Sequence, residues 1–210
     1  MINILIADDH PIVRQGLKQI LSEEPDVATV GEARNCHEVI ELLHQRDWDA
    51  VILDITMPDR GGLDVLKELK QQYPKLPVLI LSMHPEDQYA IRCLKAGAAG
   101  YITKGNEPEE LLKAVRKIIT GGKYVSPALG EKLAFRLETE TEKSLHETLS
   151  DREYQVMLMI GSGSTISDIA ERLSLSVKTI GTYRARILQK MGMKNNADLA
   201  HYAVQNRLIE

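Results

Sequence analysis

Five short apolar runs punctuate the first 120 residues, at 2–7, 27–33, 50–54, 77–82 and 98–103. Between and after them, segments 11–22, 35–46, 61–72, 86–96 and 107–120 carry apolar residues at helical spacing. Short runs that are apolar throughout predict strands buried on both faces, as in a parallel sheet. Strict strand–helix alternation predicts right-handed crossovers, hence an α/β domain with a doubly wound, five-stranded parallel sheet. Pro25, Pro58, Pro74 and Pro77 fall between elements, and Gly97 follows the fourth helix as a C-cap.

The pattern changes after Gly121-Gly122. Leu129 to Phe135 has room for a short helix, and Arg136 to Glu147 is polar, charged and without apolar period, the composition of a tether. Beyond it every period is helical. Ser150-Asp151-Arg152-Glu153 is a capping box opening a helix through Ile160. Thr165, with Asp168 three residues on, caps a helix over Ile166–Leu173. Val177 to Met191 follows, with Val177, Ile180, Ile187, Leu188 and Met191 as its apolar stripe, Gly192 as its stop, and a last helix near Asn196–Gln205. The expected organisation is an α/β domain over 1–120, a linker over 121–147 and a small all-α domain of four helices over 148–210.

Charge sharpens this division. The net charge of −4 conceals 8 Lys/Arg against 6 Asp/Glu from Thr148 onward, and 18 against 24 before it. Only the C-terminal part is suited to a polyanion. No apolar run is long enough to span a bilayer, and the N-terminal stretch lacks a charged region followed by a cleavage site, so no membrane partner is expected. Cys36 and Cys93 lie far apart without CxxC spacing, which fits reduced thiols in a cytoplasmic protein.

The chemistry gathers at the ends of the predicted strands. Asp8 and Asp9 end the first run, Asp54 the third, Ser82 the fourth and Lys104 the fifth. Ligands of such sheets bind outside the carboxyl ends of the strands. Three close carboxylates repel one another, and a divalent cation holds them ionised. Mg²⁺ suits them, with Asp9 and Asp54 as direct ligands, Asp8 acting through a water, and the backbone carbonyl of Thr56 completing the set. Asp54 is then the nucleophile of an aspartyl-phosphate, with Lys104 and the Ser82 hydroxyl on the phosphoryl oxygens. His10 reads as a helix-start or packing residue.

The second and third C-terminal helices, Ile166–Leu173 and Val177–Met191 with a short turn between them, form a helix-turn-helix whose second helix fits the major groove. Between Val177 and Lys194 the charges are Lys178, Arg184, Arg186, Lys190 and Lys194, with no acid. Lys178, Gly181, Thr182 and Ala185 lie opposite the apolar stripe and face base edges. Thr179, Arg184, Arg186 and Lys190 reach phosphates, which position the protein without specifying sequence.

These residues carry a resemblance. Ala7-Asp8-Asp9-His10-Pro11, Leu53-Asp54-Ile55-Thr56-Met57-Pro58 with Gly62, Leu81-Ser82-Met83 and Gly97 to Lys104 resemble the receiver domain of bacterial two-component response regulators. Leu149 to Glu153, Ile169-Ala170, Ser176 to Ile180 and Arg186 to Gly192 resemble the DNA-binding domain of the LuxR/NarL/FixJ class. The resemblance implies a flavodoxin-like receiver, phosphorylation of Asp54 by a sensor histidine kinase, and Ser82 with Tyr101 as a switch pair. It departs from the common pattern at Gly105, where many receivers have proline, and at Tyr183, where many LuxR-type domains have histidine.

The expected function is a phosphorylation-controlled transcription regulator that binds double-stranded promoter DNA, as a homodimer when phosphorylated. Three competitors remain: an Asp-nucleophile phosphatase, a ligand-sensing regulator and a pure interaction module. The first needs a general acid two residues after its nucleophile, where Thr56 stands, so no enzyme is expected. The acidic rim and Lys104 suit a phosphoryl group rather than an apolar signal. An interaction module lacks salt-dependent DNA affinity.

Overall fold

All five apolar runs form parallel strands in the computed structural model, which describes residues 1–57, 61–138 and 144–209. They are β1 (Ile2–Ala7), β2 (Val27–Ala33), β3 (Ala50–Leu53), β4 (Val78–Ser82) and β5 (Gly100–Thr103). Helices α1 (Pro11–Ser22), α2 (Cys36–Gln45), α3 (Gly62–Gln72), α4 (Glu86–Lys95) and α5 (Pro108–Ile119) follow them in turn. The strand order is β2-β1-β3-β4-β5, so the chain moves outward in one direction from β1 and in the other from β3. That reversal opens a crevice at the carboxyl ends of β1 and β3.

Side chains of a strand alternate between faces. Ile4 and Ile6 of β1, Ile52 of β3, and Leu79 and Leu81 of β4 join one core with Leu17 and Leu21 of α1 and Leu111, Val115 and Ile118 of α5. Leu5, Val51, Leu53 and Ile80 alternate with them and are equally buried. Each such side chain contributes about 1.5–3 kcal/mol on leaving water. Trp48 stands just before β3, and its ring lies against Gly31 of β2. Its indole N–H donates to the Leu42 carbonyl at 2.9 Å, and the Arg46 guanidinium lies 4.7 Å over its ring. The ring sits so close to β2 that a Cβ on Gly31 would meet it at 2.2 Å.

The chain divides into two compact units, Met1–Gly130 and Glu131–Glu210. The second contains α7 (Asp151–Gly161), α8 (Ile166–Arg172), α9 (Val177–Met191) and α10 (Asn196–Gln205). Ser150 and Thr165 make full capping boxes with Glu153 and Asp168, and Gly192 ends α9 in the left-handed region at φ 66°. Tyr154, Val156 and Met157 of α7, Ile180 and Ile187 of α9 and Leu199 of α10 are all buried.

Two readings need adjustment. Ala98 and Ala99 precede β5 rather than belonging to it, because the Ala98 amide closes α4 on the Cys93 carbonyl at 2.9 Å. The stretch read as a tether is structured at both ends. Helix α6 runs over Pro127–Glu138, longer than the expected 129–135, with Ser126 Oγ accepting from the Leu129 amide. Leu145–Thr148 forms a 3-10 turn that buries His146, whose Nδ1 lies 2.9 Å from the Tyr202 hydroxyl of α10. Pro58 and residues 139–143 of the tether lie outside the described residues.

Candidate functional site

The fold brings the predicted acids to one rim. Asp8 follows β1 and Asp54 follows β3, each only 1% exposed, while Asp9 is partly open. Ligand atoms of Asp8, Asp9, His10 and Asp54 all lie within 4.8 Å of one another. Lys104 extends from the end of β5 into this group. Its Nζ is 2.6 Å from Asp8 Oδ2 and 2.7 Å from Asp54 Oδ2, and its side chain is nearly fully buried. Burial pulls the Lys104 pKa down, but hydrogen bonding and attraction from Asp54 and Asp8 outweigh it and leave the pKa raised. The ammonium is therefore a fixed positive charge spanning two buried carboxylates.

Asp54 is held from both sides. Its Oδ1 accepts the Thr56 amide at 2.9 Å, and its Oδ2 accepts from Lys104. Gly62 packs against the same turn, where a Cβ would come within 2.4 Å of the Asp54 carbonyl oxygen and the Ile55 Cα. His10 caps the start of α1 without a side-chain cap bond; instead its ring Nδ1 lies 3.0 Å from both Asp8 Oδ1 and Asp9 Oδ1. Asp9 Oδ1 and Thr56 Oγ1 are buried oxygens that lack a hydrogen bond. Asp8 Oδ2 has the Lys104 ammonium beside it at 2.6 Å. Oxygens left short of donors suit a hard cation, so the donor set fits Mg²⁺.

Ser82 and Tyr101 lie on the neighbouring strands. Tyr101 is fully buried, and its hydroxyl donates to the His84 carbonyl at 2.8 Å. Ser82 Oγ accepts the His84 amide at 3.1 Å. Burial raises the Tyr101 pKa, so it stays a neutral donor.

In the second unit, α8 and α9 are joined through Ser174, at φ 54°, and α9 opens on a Ser176 cap. Lys178, Gly181, Thr182, Ala185 and Arg186 are exposed, while Thr179 and Arg184 are half-buried. A Cβ added to Gly181 would meet open space. Two of the expected phosphate contacts have partners inside the protein. Arg184 Nε donates to Asn196 Oδ1 at 2.6 Å, and Lys190 Nζ lies 2.6 Å from Glu153 Oε2. His10 stands at the helix start as expected, and also beside the acids; sequence reading passed over Glu153 as a buried partner for Lys190, and Arg14, which is buried beneath the acidic turn. A charged residue at a core-facing helical position is the one signal that pointed to Arg14.

Among the described residues no helix is long and apolar enough to cross a membrane. Residues 4–116 match the response regulator receiver domain family, and residues 147–203 match the luxR family of bacterial regulatory proteins. The chain is 34% identical to the response regulator UvrY of Escherichia coli (strain K12) over 209 residues, covering 99% of this chain and 96% of that one. It is also 34% identical to the response regulator GacA of Pseudomonas aeruginosa over 211 residues, covering 100% and 99%. Among solved structures, RcsB of Salmonella enterica serovar Typhimurium bound to promoter rprA with the phosphomimetic BeF3⁻ matches at 27% identity, with a TM-score of 0.66, covering 97% of this chain and 99% of that one.

Proposed function

Because the chain belongs to the NarL/FixJ-type response regulators, which join a receiver to a LuxR-type DNA-binding domain, we propose that Asp54 takes a phosphoryl group from a sensor histidine kinase and that this controls promoter binding through α9. The observation that carries the reading is Asp54 itself, a buried carboxylate 2.7 Å from Lys104, whose side chain is only 5% exposed. Asp9, Asp54 and the Thr56 carbonyl would hold Mg²⁺ directly, with Asp8 acting through a water. When bound, the cation offsets charge on the acids and on the phosphoryl oxygens. Lys104 neutralises the remaining negative charge and turns from Asp8 and Asp54 toward the new phosphate. Ser82 gives up the His84 amide and donates to a phosphoryl oxygen. That change is passed to Tyr101 through the backbone of His84, whose amide serves Ser82 and whose carbonyl serves Tyr101, and biases the surface of α4 and β5. The phosphorylated form pairs as a homodimer, which sets two α9 helices on two half-sites.

The exposed face of α9 supplies the DNA side of the reading: Lys178, Gly181, Thr182 and Ala185 toward bases, Thr179 and Arg186 toward phosphates, with Arg184 and Lys190 exchanging their internal partners for phosphates. The test is intact mass after incubation with acetyl phosphate and Mg²⁺. One phosphoryl group is expected on the wild type and none on Asp54→Asn or without metal. Gel shifts on promoter DNA should then show tighter binding by the phosphorylated protein, weakening steeply with salt. Equal, salt-insensitive binding by both forms would end the switching role.

A further inference from the structure

We propose that Arg14 is a positioning residue that clamps the peptide between Asp8 and Asp9 and so fixes both carboxylates for the cation. This rests on the reading of Asp54 as a phosphoryl acceptor. The problem it solves arises from strand geometry. Successive side chains of a strand point to opposite faces, yet Asp8 and Asp9 are adjacent in sequence and their carboxylates share one pocket. The chain must leave strand geometry at the peptide that joins them, and something must hold it there.

The structure shows what does. Strand β1 ends at Ala7. The Asp8 amide donates to the Ala33 carbonyl of β2 at 3.1 Å. The Asp8 carbonyl, which belongs to the Asp8–Asp9 peptide, accepts from Arg14 Nη1 at 2.6 Å. Arg14 reaches it from the second turn of α1, and its side chain is only 7% exposed. The Arg14 Nε is buried without a hydrogen bond and lies 3.5 Å from Glu32 Oε2 on β2. Glu32 is anchored in turn by Lys18, 2.7 Å from its other oxygen, and this contact helps to hold its carboxyl below the usual range. The frame is closed: neighbouring residues of β2, Glu32 and Ala33, fix the guanidinium and the Asp8 amide, and the guanidinium fixes the peptide. A planar, permanently charged fork suits this task better than an ammonium.

A clamp and a bare charge predict opposite signs. Arg14 is a cation near a cation site, so by Coulomb's law removing it should tighten Mg²⁺ binding. If it positions the acids, removing it should weaken binding. The experiment is calorimetric titration of the full-length protein with Mg²⁺, without a phosphoryl donor, alongside the rate of labelling by acetyl phosphate as Mg²⁺ is varied. Arg14→Gln should lose at least about fivefold in Mg²⁺ affinity, while its labelling rate at saturating Mg²⁺ stays within about twofold of the wild type. Arg14→Lys keeps the charge but not the fork, and should lose about threefold. It also serves as the second variant should circular dichroism show Arg14→Gln unfolded. Wild-type or tighter Mg²⁺ affinity in either folded variant would overturn the clamp. Failure of the wild type itself to accept a phosphoryl group would instead overturn the reading on which the clamp rests.

Discussion

Two buried carboxylates in this chain take opposite roles because their surroundings differ. Asp54 stands among other acids and 2.7 Å from Lys104, the setting that the proposed phosphoryl chemistry needs. Glu153 has a structural setting: it accepts the Ser150 amide at 2.7 Å as part of a capping box and pairs with Lys190. Burial pushes its pKa up, but the hydrogen bond from Lys190 and those from Ser150 outweigh it, leaving the carboxyl below its ordinary value. A depressed folded pKa stabilises the protein above the unfolded value, and that contribution is lost as pH falls through the folded one. The second unit should therefore weaken in acid, beginning near the ordinary glutamate pKa and continuing below it. Glu153→Gln should cost about 1–2 kcal/mol at neutral pH and flatten this dependence. Thermal unfolding followed between pH 7 and 3 checks both, and an unchanged acid slope would exclude Glu153 as its source.

Helix α9 shows at the scale of an element how function sets a residue against stability. Glycine in a helix interior costs about 1 kcal/mol relative to alanine, and a Cβ at position 181 would meet nothing. The fold gives no reason for the glycine; the proposed approach of DNA to this face would supply one. Gly181→Ala should raise the stability of the second unit by about that amount and lower DNA affinity at least severalfold, as read by calorimetry and gel shift. Equal affinity would remove Gly181 from the interface. The elements themselves were legible because their signals are local: continuous apolar runs, a capping box at Ser150, a stop at Gly192. The acidic rim was legible too, because Asp8, Asp54, Ser82 and Lys104 each end or directly follow a strand. What escaped depends on reach across the fold. Arg14 grips a carbonyl six residues back, Lys190 meets an acid thirty-seven positions away, and His146 is one buried ring in a polar stretch. A helical period can mark Arg14 as core-facing, but no period or spacing names the partner in such contacts.

For the whole molecule, the division into two compact units means two cores with separate compositions. The first rests on a sheet with Trp48 packed against β2, the second on helices alone. Trp48 is the only tryptophan in the chain. Indole emission, excited beyond the red edge of tyrosine absorption, thus reports on the first unit and is blind to the second. Far-ultraviolet dichroism sums both. Urea titrations read by the two signals should give different midpoints if each unit unfolds on its own core, and coincident ones only if they melt as a single cooperative block. The packing of Trp48 against Gly31 thereby provides an intrinsic fluorophore, already restricted to the phosphoacceptor half, against which the stability of the DNA-binding half can be resolved without labelling either.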